Sequence, residues 1–332
     1  MAEKTLRIIG DCSQLPGSRA EGQRLRGTYV AAGHRPASIS RWSLPIEKVE
    51  LAEVISPLEY DPNDPASLRI RLLGGRPILS WPIVLPETDP RGVLSADSFE
   101  CWKKASDSRK GIAGYHHSFK GMGKVACHSW LEARLLRWFE MCPFVVEIRT
   151  QYPQWNRAEF LEYCRAGCRY PENKLRTIDF MLRLCLPGLP YHIYHGVSVK
   201  PDAKLLDPKV IRRHEKEAAG LWEWDGTHEV MTELTVPAQE TTNCERLLSY
   251  MGQASTEEIR LLAAPAADFG KALNKSEAKG PMDRVVGMVG ARRQGWTLNE
   301  SYRALGVAFF LGHLRWDHRY QVHPLEQMFL VK

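Results

Sequence analysis

Two runs of strand-forming residues, LRTIDFMLRL (175–184) and YHIYHGVSVK (191–200), carry polar groups where strands normally hide apolar ones. Pro187-Gly188 between them is a turn signal, so the runs read as neighbouring strands, 175–186 and 191–200. Ile178, Phe180, Leu182 and Leu184 alternate to one side of the first strand, and Asp179 points to the other. On the second, Val197 and Val199 face one way, Ser198 and Lys200 the other. Antiparallel pairing sets Asp179 against the Ser198–Lys200 end. Pro201 stops the strand there, so Lys200 stands at its tip. Taken alone, Asp179 and Lys200 read as an ion pair on a solvated face.

The elements around these strands fix an order. Ser129 to Glu140 reads as a helix, with Ser129 and Glu132 at capping-box spacing. FVVEIRT (144–150) is a strand, and 152–174 an insertion with a short helix around AEFLEYC. Asp207-Pro208 opens a helix that runs through Trp222 and ends at Asp225-Gly226. THEVMTELTV is the last strand. Helix, three strands, helix, strand is an α+β order in which the first strands form a meander and the second helix crosses back to the sheet.

On the first helix Glu132, Leu135, Leu136 and Phe139 share one face, with Arg134 and Arg137 on the other. A carboxylate on a buried stripe is costly without a positive partner. Taken alone, Glu132 reads as a cap at the exposed end of that stripe, favoured there by the helix dipole. Together, Glu132, Asp179 and Lys200 suggest more. Two carboxylates hold a hard divalent cation through oxygen. A lysine beside it orients the attacking water or offsets charge on a phosphate. Acid, acid and lysine at these places define the PD-(D/E)xK, restriction-endonuclease-like class.

LEARLLRWFEMCPFVVEIRTQYP resembles the start of the catalytic domain of the TnsA family, the endonuclease subunits of heteromeric (TnsABC-type) bacterial transposases. TIDFMLRL followed by VSVKPDAKL is similar to that family's next catalytic segments, and IRRHEKEAAGLWEW with HEVMTEL to its following helix and strand. The resemblance covers about 115–236, is weaker beyond, and does not reach 1–105. It implies that Glu132 and Asp179 bind metal and that Lys200 is catalytic. Ser198 stands where relatives have glutamine and other nucleases of the class an acid. The metal set becomes Glu132, Asp179, water and the Val199 carbonyl, suited to Mg²⁺ with Mn²⁺ as a substitute. The implied reaction is hydrolysis of the 5′-side strand of duplex DNA at transposon ends. A TnsB-like DDE transposase cuts the other strand, and a TnsC-like AAA+ ATPase is a further partner.

Other residues have two readings each. Glu215 and Glu217 read as a solvated helix face balanced by Arg212, Arg213 and Lys216, the alternative being a ligand through water. His128 is a capping or core histidine, or touches the site. Lys103, Lys104, Arg109, Lys110, Lys120 and Lys124 are either phosphate contacts or a solvated basic loop. GMGK (121–124) lacks phosphate-loop spacing and has Val125 where Ser or Thr should hold magnesium.

Three regions follow. Residues 1–105 are rich in Pro and Gly, and WSLPIEKVELAEVI and SLRIRLLGGRPILSWPIVLP predict a β-rich extension. Residues 106–236 hold the catalytic core, opening on a polar basic loop. Residues 237–332 form a winged-helix-like domain: PAQETTN (237–243) as linker, helices from near Asn243, from Ser255, at 281–294 and at 297–311, then HLRWDH and QMFLV as a terminal hairpin. Ser255/Glu258 and Thr297/Glu300 are capping-box pairs.

The bulk numbers restrain these readings. Net charge is +6 over 332 residues, compatible with a polyanionic partner without demanding one. None of the eight cysteines forms a CxxC pair, and no second Cys/His pair follows Cys164 and Cys168, so no zinc site is expected. MAEKTLRIIG lacks the apolar run of a signal peptide, and no apolar stretch approaches membrane-spanning length. The expectation is a bacterial cytoplasmic protein with free thiols.

Overall fold

Four strands make one mixed sheet, and its topology follows from the connections. The computed structural model describes residues 68–73, 77–108, 112–168, 170–186 and 192–331. The sheet order is β3 (Val145–Gln154), β4 (Arg176–Cys185), β5 (His192–Val199), β6 (Thr227–Met231). β4 and β5 are antiparallel, from Phe180↔Val197 to Cys185↔His192. β5 and β6 are parallel, so the chain must cross over between them. Helix α3 (Pro208–Trp222) makes that crossover. It starts where the sequence predicts: Asp207 is the N-cap, accepting the Lys209 N–H at 2.8 Å, and Pro208 follows at the first helical position. Gly196 lets α3 approach, since a Cβ there would meet Leu221 Cδ1 at 2.5 Å.

The contacts divide the chain into two units. Of the described residues, the first comprises 68–73, 84–108, 112–132, 147–168, 170–186 and 192–232. It contains the sheet, α3, helix α2 (Arg157–Arg165) and a two-stranded antiparallel hairpin, β1 (Gly114–Ser118) with β2 (Gly123–Cys127). Its core gathers Tyr152, Trp155, Phe160, Ile178, Met181, Tyr194, Leu221 and Trp224.

The hairpin corrects the basic-loop reading of 106–128. Gly121 and Met122 lie in its turn, with Met122 at φ 54° and the Gly121 N–H bonded to Ser118 Oγ at 2.7 Å. GMGK therefore joins two strands, where a phosphate loop would join a strand to a helix. Between 68 and 105 the described residues form no strand. Only a 3₁₀ turn at Ile70–Leu72 and a single Thr88↔Leu94 bridge occur. Pro77, Pro82 and Pro86 lack the N–H that pairing requires, so this stretch stays unpaired. WSLPIEKVELAEVI and the Pro187-Gly188 turn lie outside the described residues.

The second unit comprises 76–83, 133–146 and 233–332. Helix α1 (Trp130–Met141) contributes its later turns. Four further helices follow: α4 (Ala238–Met251), α5 (Thr256–Lys275), α6 (Met282–Gln294) and α7 (Leu298–Phe310). The Ser255/Glu258 and Thr297/Glu300 capping boxes both form. PAQETTN is not a linker: after Pro237 it is the first turns of α4, buried at Glu240, Thr241 and Asn243. Glu240 accepts the Trp138 indole N–H at 2.8 Å, and Thr241 Oγ1 the Arg134 Nε–H at 3.2 Å. Tertiary bonds hold those polar side chains inside, which a polarity-based reading misses. The expected terminal hairpin is reduced to one antiparallel bridge, Trp316↔Leu330.

Candidate active site

Asp179 begins the site because the strand breaks phase there. Met181 pairs with Gly196, yet a Cβ on Gly196 would also meet Ile178 at 3.4 Å. Ile178 and Met181 are three residues apart and share one core cluster. Strict alternation puts residues three apart on opposite faces, so β4 shifts phase between them. The ladder to β5 starts only at Phe180↔Val197. Asp179, one step before it, bonds differently: its Oδ2 accepts the Val199 N–H at 2.7 Å and the Lys200 Nζ at 3.2 Å. Lys200 Nζ also donates to the Val199 carbonyl at 2.7 Å. Asp179 Oδ1 has no partner among the described residues.

Glu132 reaches the same place from α1. Its Oε1 accepts Ser129 Oγ–H at 2.9 Å; its Oε2 accepts the His128 backbone N–H at 2.8 Å and Gln151 Nε2 at 3.2 Å. The cap reading therefore describes this carboxylate. Burial pushes its pKa from the ordinary 4.5 to about 7, the Asp179 charge adds to the rise, and Lys200 opposes it. Two acids crowded beside one ammonium make a pocket short of positive charge.

Gln151 had no signal of its own beyond its place in EIRTQYP. It is buried in β3 at φ 50°, a left-handed conformation that costs a non-glycine residue about 1 kcal/mol. That strain accompanies its carboxamide bond to Glu132.

Ser198 parts from the other predicted site residues. Its hydroxyl donates to Glu217 Oε2 at 2.7 Å and lies 3.1 Å from His228 Nε2. The phase shift at Asp179 is the physical reason the two side chains do not meet. Glu217 is not on a solvated face but fully buried. It holds His214 Nδ1 at 3.1 Å and Arg213 Nε at 2.6 Å. Burial alone would raise its pKa, but the bonds from His214 and His228, the Arg213 charge and the Ser198 hydroxyl together hold it far below the usual carboxylate range. Arg213 also donates to the Thr177 carbonyl, tying α3 to the start of β4. The signal for this cluster was the spacing of His214 and Glu217, one turn apart on a helix, which places them side by side. Glu215 is exposed, as read.

The basic residues divide. Lys103, Lys104 and Lys124 are exposed, Lys120 is fully buried, and Arg109 and Lys110 lie outside the described residues. His128 contributes its backbone N–H to Glu132, while its ring Nε2 is buried without a partner among the described residues.

The oxygen donors suit a hard divalent cation: Glu132, the open Oδ1 of Asp179, and the Val199 carbonyl that Lys200 now touches. Among the described residues no helix is long and apolar enough to cross a membrane. No family model matches the chain, and neither does any curated protein.

Proposed function

We propose that the chain is a metal-dependent DNA endonuclease of the restriction-endonuclease-like class, working as the TnsA-type subunit of a cut-and-paste transposase. One observation carries the nuclease reading. Glu132, Asp179 and Lys200, from three separate segments, act on one another electrostatically: burial first and the Asp179 charge second raise Glu132 to about 7, and Lys200 opposes the rise. Glu132, Asp179 and the Val199 carbonyl would hold Mg²⁺, which would supply Lewis acidity toward a phosphoryl oxygen. Lys200, at the tip of β5, offsets charge on the phosphate or orients water. Gln151 holds Glu132 in place through Oε2.

The transposase assignment rests on the resemblance of EIRTQYP, TIDFMLRL and VSVKPDAKL to the TnsA family. It makes transposon-end DNA the substrate, with a TnsB-like DDE transposase and a TnsC-like AAA+ ATPase as partners. A second reading, a DNA-binding scaffold with a decayed site, is favoured by Ser198. Its hydroxyl is committed to Glu217, which leaves two carboxylates for the metal.

Strand-specific cleavage by wild type and Asp179→Ala, each with the transposase and ATPase present, tests both. The expected result is loss of 5′-side cuts alone in the variant. A variant that cuts both strands normally rejects the catalytic assignment. Wild type that binds no Mg²⁺ and makes no 5′-side cut establishes the scaffold.

A further inference from the structure

We propose that His214, Glu217 and His228 form a second metal site, for a zinc-class cation, which staples helix α3 to strands β5 and β6. It does not depend on the nuclease reading. The three side chains come from the crossover helix and the strand it leads to, and one ligand atom of each lies within 4.8 Å of the others. Glu217 Oε2 stands 3.1 Å from His214 Nδ1 and 3.7 Å from His228 Nε2. Ligands about 2.0–2.1 Å from a tetrahedral zinc stand about 3.3–3.4 Å apart, so these separations bracket the edge of such a tetrahedron. Ser198 Oγ borders the cluster, 2.7 Å from Glu217 Oε2 and 3.1 Å from His228 Nε2.

The donor set selects the metal. Two imidazole nitrogens and one carboxylate oxygen suit zinc and its neighbours and are foreign to magnesium, which takes oxygen. Glu217 is fully buried, and its Oε2 is the oxygen that both imidazoles approach. Arg213 holds Oε1, the usual outer support of a ligating carboxylate, and Oε2, which accepts the Ser198 hydroxyl, faces the two imidazoles. His214 Nε2 has no partner among the described residues, so nothing on that side fixes the proton to Nδ1. The competing arrangement is a metal-free hydrogen-bonded cluster on Glu217.

The test loads tag-free protein with Zn²⁺, dialyses it and measures the metal retained. Co²⁺ replaces zinc for the visible spectrum. Wild type should retain one equivalent of zinc and give an intense tetrahedral cobalt spectrum. His228→Ala should weaken binding more than about 100-fold, beyond the loss from removing an outer-shell partner. His214→Ala, at the least buried ligand of the three with its side chain 12% exposed, should do the same, read on protein shown to be folded by circular dichroism. Asp179→Ala should retain zinc, which separates this site from the nuclease site. Folded wild type that retains no zinc overturns the proposal. So do His214→Ala and His228→Ala proteins that retain it, zinc loss in Asp179→Ala, or a cobalt–thiolate charge-transfer band, which would place the metal on cysteines.

Discussion

The Asp179 carboxylate accepts the backbone N–H of Val199 through Oδ2 at 2.7 Å. The side chain of one strand thereby continues the hydrogen bonding of its neighbour just past the first rung, Phe180↔Val197. Its aim is set by this backbone donor together with Lys200 Nζ at 3.2 Å, the fixed placement that the proposed metal-binding role needs. The same bond makes stability and catalysis separable. Asparagine at 179 keeps an acceptor for Val199, while alanine leaves a buried N–H unpaired at a cost of about 1–3 kcal/mol. Asp179→Asn should therefore unfold in urea close to wild type and Asp179→Ala earlier, with both losing metal-dependent cleavage by at least about 100-fold.

Glu132 makes stability depend on pH in the direction opposite to an ordinary paired carboxylate. Folding raises its pKa from 4.5 to about 7, first by burial and then by Asp179. Between those values the folded chain holds more protons than the unfolded one, so stability falls as pH rises across the window. The full effect is about 3 kcal/mol and is present above the folded pKa. Glu132→Gln should gain about 1–2 kcal/mol near pH 8 and little near pH 4, since the amide keeps only part of the Ser129, His128 and Gln151 bonding. Mg²⁺ should stabilise wild type near pH 8 and leave Glu132→Gln unchanged. Denaturation midpoints at the two pH values, with and without Mg²⁺, check both statements.

Ser198 tests where the metal set ends. Its hydroxyl serves Glu217, so Ser198→Ala removes one donor from a buried carboxylate that keeps His214 and Arg213. The expected loss is about 1–2 kcal/mol of stability with Mg²⁺ affinity unchanged within about twofold. Calorimetric titration of Mg²⁺ into both proteins measures it. A tenfold or greater loss of affinity would return Ser198 to the metal site.

The order of elements was legible because local signals carry it. Asp207-Pro208, Ser255/Glu258 and Thr297/Glu300 act within one helical turn, and the alternation in 192–199 marks β5. What escaped depends on distance along the chain. Glu240 and Thr241 make PAQETTN look like a linker until Trp138 and Arg134, about a hundred residues away, supply partners. Lys120 and Glu217 looked like surface charges for the same reason. Element order suggested that Asp179 and Lys200 pair and that both act on Glu132 electrostatically. It did not suggest the divergence of Ser198, because a one-residue phase shift in β4 leaves no mark in an alternating pattern.

Arg149 and Arg183 are both fully buried, yet their removal should have different consequences. Arg149 donates to Asp89 Oδ2 and the Leu94 carbonyl through Nη1, at 2.8 Å and 3.2 Å, and its Nε stands 3.5 Å from Glu147 Oε1. The charges of Glu147 and Asp89 override burial and keep it firmly protonated. Arg183 pairs with Glu147 Oε2 at 3.9 Å and lies 5.7 Å from the centroid of the Tyr194 ring, and its Nε, Nη1 and Nη2 make no hydrogen bond among the described residues. Removing one member of a buried ion pair strands the other, at a cost of about 3–5 kcal/mol, so Arg149→Met should destabilise by that order. Asp89 would keep the Tyr152 hydroxyl and the Arg91 and Val93 amides, which places the value toward the lower end. Arg183→Met exchanges unsatisfied guanidinium donors for apolar volume while Glu147 keeps the Ala96 amide at 2.8 Å and Arg149. Its cost should be under about 1 kcal/mol. Urea unfolding of the two variants at neutral pH measures the difference, and equal losses would mean that the two guanidiniums share the carboxylates evenly.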